Sequence, residues 1–204
     1  MAAATRVRRT QQERREATIR KLLDATTEAL IDQGYADASV QEICERAGIS
    51  QGGLFRHFAS REALMVAVGR DVGEQLLQQY RREFESLRSE RDPLRLGLEL
   101  VRKTCRSRLN QAWYELAMAA RTRPRLRKAL APLTARYHAD IGALARELLP
   151  ELALALGPTF DAMVGLIVAV FDGEAWRRFV LRDAAGDDAR LELLHAATTR
   201  LTGL

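Results

Sequence analysis

Residues 39–58 read Ser39-Val40-Gln41-Glu42-Ile43-Cys44-Glu45-Arg46-Ala47-Gly48-Ile49-Ser50-Gln51-Gly52-Gly53-Leu54-Phe55-Arg56-His57-Phe58. Val40, Ile43, Ala47, Ile49 and Leu54 place apolar contacts on two short helical segments, with Gly48 between them. Two helices joined by a tight, glycine-bearing turn form a helix-turn-helix. Ala47 is small where the helices must approach closely, and Ile49 and Leu54 can bury against the first helix. Ser39 and Glu42 read as a capping box, the hydroxyl accepting from an early amide while the carboxylate reaches back. The second helix, ending near His57, then presents Gln51, Arg56 and His57 to a major groove, with Ser39 near a phosphate. A plain helical hairpin inside a bundle fits the same stretch, so the motif needs its surroundings.

Outward from this segment the periodicity is helical, and strand signals are nearly absent. Thr10 with Glu13 forms another capping box. The helix behind it carries Ile19, Leu22, Leu23, Thr26, Ala29 and Leu30 on one face and should stop at Gly34. Ser60 caps a helix expected over roughly 60–89, along which Leu64, Val68, Val72, Leu76, Tyr80, Phe84 and Leu87 recur. Further helices are expected over 93–110, 111–121, 124–149, 158–182 and 187–202. Pro124, Pro150 and Pro158 fall at starts or breaks, where proline is tolerated. The fold class is all-α.

The 204 residues carry 32 basic and 27 acidic side chains, a net charge of +5. Residues 1–23 hold seven basic residues against Glu13 and Glu16, which equals the whole surplus, so 24–204 is balanced. A basic arm before a neutral body suggests a polyanion, nucleic acid or an anionic membrane surface. Composition, 47% hydrophobic and 29% charged, excludes a disordered or low-complexity chain. Cys44 and Cys105 lie 61 positions apart and make neither a disulfide framework nor a zinc pattern. The apolar run 162–171 is half the length of a membrane span, so a reduced, cytosolic chain that does not enter the membrane is expected.

The stretch from about Ala17 to Leu64 resembles the N-terminal domain of the tetracycline-repressor (TetR) family. The matching pieces are Leu22-Leu23-Asp24-Ala25, Gly34-Tyr35, Ser39-Val40 with Ile43, and Ala47-Gly48-Ile49-Ser50. Gly52, Leu54-Phe55-Arg56-His57-Phe58 and Ser60-Arg61-Glu62-Ala63-Leu64 follow at the right spacing. The resemblance implies a ligand-responsive transcriptional regulator. Such a protein binds a near-palindromic operator as a homodimer and is most often a repressor released by a small molecule. It divides the chain into a basic arm (1–14), a DNA-binding domain (15–75) and a helical effector-binding and dimerisation domain (76–204).

Residue roles transfer unevenly. Phe55 stands where tyrosine is common, which leaves only an apolar contact to a thymine methyl. Arg61 stands where lysine is common and keeps a phosphate contact. Gly52 and Gly53 bring the backbone close to DNA without a side chain to read it. Base reading therefore falls on Gln51, suited to adenine, and Arg56, suited to guanine, while His57 and Ser39 hold phosphates. Arg6, Arg8 and Arg9 in the arm follow phosphates or enter a minor groove.

Gly48-Ile49-Ser50-Gln51-Gly52 also matches the Gly-x-Ser-x-Gly elbow of α/β-hydrolases. That chemistry needs a strand before the serine, and a helix is expected there instead. His57, His138 and His195 lie on separate helices without ligand spacing. No enzyme, metal or cofactor is expected. In the body, Trp113, Tyr114, Met118, Met163 and Phe171 are the candidate lining of an apolar effector pocket, with ordinary core packing as the alternative for each. The helices at 158–182 and 187–202 carry wide apolar faces (Phe160, Met163, Val164, Ile167, Val168, Phe171; Leu191, Leu194, Thr198, Leu201). Such faces suit a four-helix pairing with a second copy.

Overall fold

The computed structural model describes residues 10–85 and 92–202. Arg6, Arg8 and Arg9 of the arm, and Leu87 of the expected 60–89 helix, lie outside the described residues. The described residues form an all-α fold without a strand: α1 Gln11–Asp37, α2 Val40–Ala47, α3 Gln51–Phe55, α4 Arg61–Glu85 and α5 Pro93–Cys105 come first. They are followed by α6 Arg108–Thr122, α7 Pro124–Leu148, α8 Pro150–Leu156, α9 Phe160–Arg177 and α10 Ala184–Thr202.

Local signals explain the starts. Glu13 donates its amide to Thr10 Oγ1 (3.2 Å), and Thr10 donates its amide to Glu13 Oε2 (2.7 Å), so the first capping box forms complete. At Gly34 the backbone leaves the helical region (φ 78°, ψ 172°), which glycine adopts without the Cβ clash other residues meet. The chain bends there before a last turn to Asp37.

Three expectations shift. The boundary near 110 falls instead at 105–108, because the Ser107 hydroxyl accepts from the Asn110 amide (3.2 Å) and starts α6 early. The helix expected over 158–182 is preceded by a separate short helix, α8. Gly157 in the left-handed region (φ 51°) divides α8 from α9. This break also interrupts Pro150–Arg177, which contains an 18-residue segment whose mean hydropathy of 1.9 is enough for a membrane span. Finally, most of the apolar faces assigned to a partner copy turn inward: Phe160, Ile167, Val168, Phe171, Leu191 and Thr198 are all buried within the protomer. A helix apolar on every side satisfies its own core first, and periodicity could not tell which stripe remained outside.

The largest core runs across the whole N-terminal half. Leu22, Leu30, Ile43, Leu54, Leu64, Met65, Val68 and Val72 pack with Leu116, Leu126 and Leu130 of α6 and α7. The helix-turn-helix therefore shares its interior with the body. Two smaller clusters lie beyond it, one around Phe171, Leu98 and Leu191, the other around Tyr80, Ile141 and Val168.

Candidate nucleic-acid interface

The motif closes as its spacing predicts. Ser39 accepts from the Glu42 amide (3.2 Å) and caps α2. The reciprocal half of that box is absent, because Glu42 instead accepts from Arg46 Nε (2.5 Å) on the helix surface. Gly48 adopts the left-handed conformation (φ 66°) and ends α2. Ser50 then accepts from the Gly53 amide (3.1 Å) and caps α3. The serine of the apparent hydrolase elbow thus caps a helix and follows a helix rather than a strand. Leu54 is fully buried in the core to which α2 and α4 contribute, and α3 packs against α2.

Burial of Leu54 decides what faces out. Gln51, Gly52, Phe55 and Arg56 are exposed, and His57 is half-buried at the end of α3. The two glycines differ. A Cβ at Gly53 would lie 2.8 Å from Ile49 Cγ2, so packing inside the motif requires glycine there. A Cβ at Gly52 would meet nothing within 4 Å, leaving an open backbone for a close approach from outside. Arg56 forms no ion pair among the described residues.

Arg61 behaves otherwise than its position suggests. Its Nε donates to the Ala38 carbonyl (2.9 Å), its Nη2 donates to the Tyr35 carbonyl, and its guanidinium lies 4.4 Å from the Tyr35 ring centroid. Two of the five donors of a guanidinium thus lock the start of α4 to the α1–α2 connection. Arg123, at the α6–α7 corner, approaches the same ring at 4.6 Å. Glu115 of α6 accepts from the Tyr35 amide (3.0 Å). These contacts around Tyr35 add to the shared core in joining the body to the helix-turn-helix, and no short-range pattern reveals them.

The five body residues do not converge. Met163 lines an apolar cavity of about 70 Å³ between α5, α7, α8 and α9, walled also by Tyr80, Leu98, Ile141 and Phe160. Trp113 stacks obliquely near Tyr137 (6.4 Å) beside a separate groove of about 320 Å³ between α4 and α7. Tyr114 is buried, donating to Asp172 Oδ1 (2.7 Å) and close to the Cys105 carbonyl. Phe171 is fully buried and Met118 is exposed on α6. Aromatic and sulfur content alone could not distinguish cavity walls from core. Leu98, Leu144 and Val164, which do wall the cavity, look like any other core residue in sequence.

A short helix with a polar outer face, docked by a buried leucine and preceded by a capped helix and a glycine turn, defines a helix-turn-helix DNA-binding protein. Residues 22–68 match the model of bacterial regulatory proteins of the tetR family. An uncharacterized HTH-type transcriptional regulator of Mycobacterium tuberculosis is 36% identical over 94% of this chain and 97% of its own length. A TetR-family regulator from Rhodococcus sp., described as putative in its crystal structure, superimposes with a TM-score of 0.68 at 25% identity, covering 92% of this chain and 99% of that one. The multidrug binding protein EbrR, solved with imidazole, has the same fold (TM-score 0.63, 24% identity, 90% and 94% coverage). The chain belongs to the TetR family of transcriptional regulators.

Arg56→Ala is expected to cost about 1–3 kcal/mol per half-site on an operator selected from random duplexes. It should leave affinity for an unrelated duplex nearly unchanged. Titration of both duplexes checks it; equal losses on both would show Arg56 to be a phosphate contact.

Proposed function

We propose that the chain is a repressor that binds a near-palindromic operator as a homodimer and is released by a small apolar effector. Base reading falls on Gln51 and Arg56, with Ser39, His57 and the remaining donors of Arg61 on phosphates, and with Gly52, Gly53 and Phe55 against the groove. The arm, residues 1–14, adds phosphate contacts.

The observation that carries the effector half is the cavity at Met163. Its walls are apolar apart from the Tyr80 hydroxyl, so it selects an apolar ligand. At about 70 Å³ it is smaller than a typical small-molecule site of roughly 300–1,000 Å³. Entry of a larger ligand has to part α5 and α7 from α9. Tyr80 belongs to α4, which begins at Arg61 beside the recognition unit, so the displacement has a direct route to α3. A ligand shifts this equilibrium only through its preference for the parted arrangement.

Dimerisation is supported by the outward stripe Ala162, Leu166, Ala169, Gly173 and Trp176 of α9, all exposed in the protomer. Leu193 and Leu201 of α10 are exposed as well. The connection between the two helices adds Phe179, Val180 and Leu181.

Met163→Trp fills the cavity. In anisotropy titrations with the selected operator and a panel of apolar and aromatic compounds, the wild-type chain should release DNA with at least one compound. The variant should bind the operator equally well and no longer respond. Release that survives the substitution would move the effector site elsewhere, with the α4–α7 groove at Trp113 next in line.

A further inference from the structure

Five cations fall between residues 121 and 128 at the α6–α7 corner: Arg121, Arg123, Arg125, Arg127 and Lys128, with no acidic residue among them. The charge balance of residues 24–204 therefore hides a local surplus. All five are exposed. None has an acidic partner among the described residues; Arg123 and Arg127 donate only to neutral groups, the Ala119 carbonyl, Thr122 Oγ1 and the Arg121 carbonyl. Elsewhere in the body Arg95 pairs with Glu192, Arg102 with Asp188, and Arg146 with Asp161.

Solvation of a surface explains charge, but not charge of one sign at the wrong end of a helix. The 25-residue α7 starts at Pro124 with no capping side chain and no acidic residue in its first turn. Arg125, Arg127 and Lys128 crowd this end, where the helix dipole is already positive and cations are disfavoured. Arg121 sits in the last turn of α6, where a cation is favoured, so helix electrostatics accounts for that one alone.

The corner's place in the fold says what the surplus meets. Arg123 lies 4.6 Å from the Tyr35 ring, which Arg61, the first residue of α4, also approaches at 4.4 Å. Arg61 in turn holds the Ala38 carbonyl, one residue before Ser39, the cap of α2. The starts of α2 and α4 and the basic corner meet around one side chain, and the start of α2 is the end offered to phosphate.

We propose that the α6–α7 corner is a second DNA-contacting surface, holding backbone phosphates beyond the base pairs reached by α3. The proposal rests on the helix-turn-helix being the DNA-binding face. Phosphate contacts carry affinity and salt dependence rather than sequence, so the corner strengthens binding to any duplex that α3 engages.

The test uses the full chain with Arg121, Arg125, Arg127 and Lys128 all changed to Gln; Arg123 is kept because it packs on Tyr35. Anisotropy is measured from 50 to 200 mM salt on two 40-base-pair duplexes, the selected operator and an unrelated sequence. The slope of log K against log salt should fall by about 0.9 for each phosphate no longer neutralised, one to four per protomer, on both duplexes alike. Affinity at the low-salt end should drop about tenfold or more. The double variant Arg125→Gln, Lys128→Gln gives the same readout if the fourfold variant loses its helical circular dichroism. Unchanged slopes overturn the proposal. So does a variant that loses binding only to phosphatidylserine vesicles, which would make the corner a membrane contact. Arg56→Ala, which should lower operator preference and keep the slope, separates this failure from that of the underlying reading. A wild-type chain that binds neither duplex would sink both.

Discussion

Asp187→Ala should destabilise the protein by about 3 kcal/mol, the low end of the cost of breaking a buried ion pair, because the arginines left behind stay partly exposed to water. The Asp187 side chain is 2% exposed and the Glu174 side chain fully buried. Asp187 accepts from Arg106 (2.8 Å), Arg178 (2.6 Å), Arg177 (3.3 Å) and Arg190. Glu174 accepts from Arg106 and from Arg190 Nε (3.2 Å). These bonds join the end of α5, the last turns of α9 and the first turn of α10. Without Asp187, the fully buried Glu174 and the more distant Asp183, 3.7 Å from Arg177 and 4.0 Å from Arg190, are left to balance four arginines that cannot deprotonate.

The sign with pH follows from the same geometry. Burial alone would raise the Asp187 pKa, but the bond from Arg178 and the charges of Arg106 and Arg190 outweigh it and hold the carboxyl below its ordinary value of 3.8. A depressed carboxyl contributes stability that is fully present above the ordinary value and is lost as pH falls through the folded one. Urea unfolding at neutral pH should show the full deficit in the variant, shrinking as the wild-type protein is acidified below about 3.8. A deficit under 1 kcal/mol, or one independent of pH in that window, would mean that the arginines find other partners.

Leu166→Asp should weaken dimerisation by about 3–5 kcal/mol, on the order of a thousandfold in dissociation constant. Leu166 is 54% exposed in the protomer, and Ala169 and Gly173 follow it along α9. A partner helix can approach these small neighbours closely, which would bury the new carboxylate without a counter-charge. Operator affinity should fall with the dimer, because two recognition helices must span half-sites about 34–36 Å apart. Sedimentation equilibrium reads the first effect and operator titration the second. The protomer mass is 22.9 kDa; a wild-type species of that mass at micromolar concentration would remove the dimer from the mechanism. A fully dimeric variant would place the interface away from α9.

The two substitutions bear on features of different visibility. Asp187 and Glu174 read in sequence as ordinary helix-surface acids, because nothing local says that four arginines from three elements close over them. The α9 stripe was half visible. The segment is plainly apolar, yet Phe160, Ile167, Val168 and Phe171 face the core, and Ala162, Ala169 and Gly173, the weakest apolar signals, mark much of the face left outside.

By itself the sequence determined several features that depend on neighbours within a few positions. These are the all-α class, the capping box at Thr10, the positive-φ bend at Gly34, the left-handed end at Gly48, the burial of Leu54 and hence the outward set Gln51, Gly52, Phe55 and Arg56. Backbone sterics and helical period settle such features within one or two turns. The tertiary structure alone decided the rest, because it depends on which distant turns meet. It put Arg61 on the Tyr35 and Ala38 carbonyls, brought Arg123 from more than eighty residues away onto the same ring, and left Met163 as the one anticipated residue on the apolar cavity. It also joined the helix-turn-helix to the body through one core, so that the unit read most easily from the sequence is not packed as a separate one.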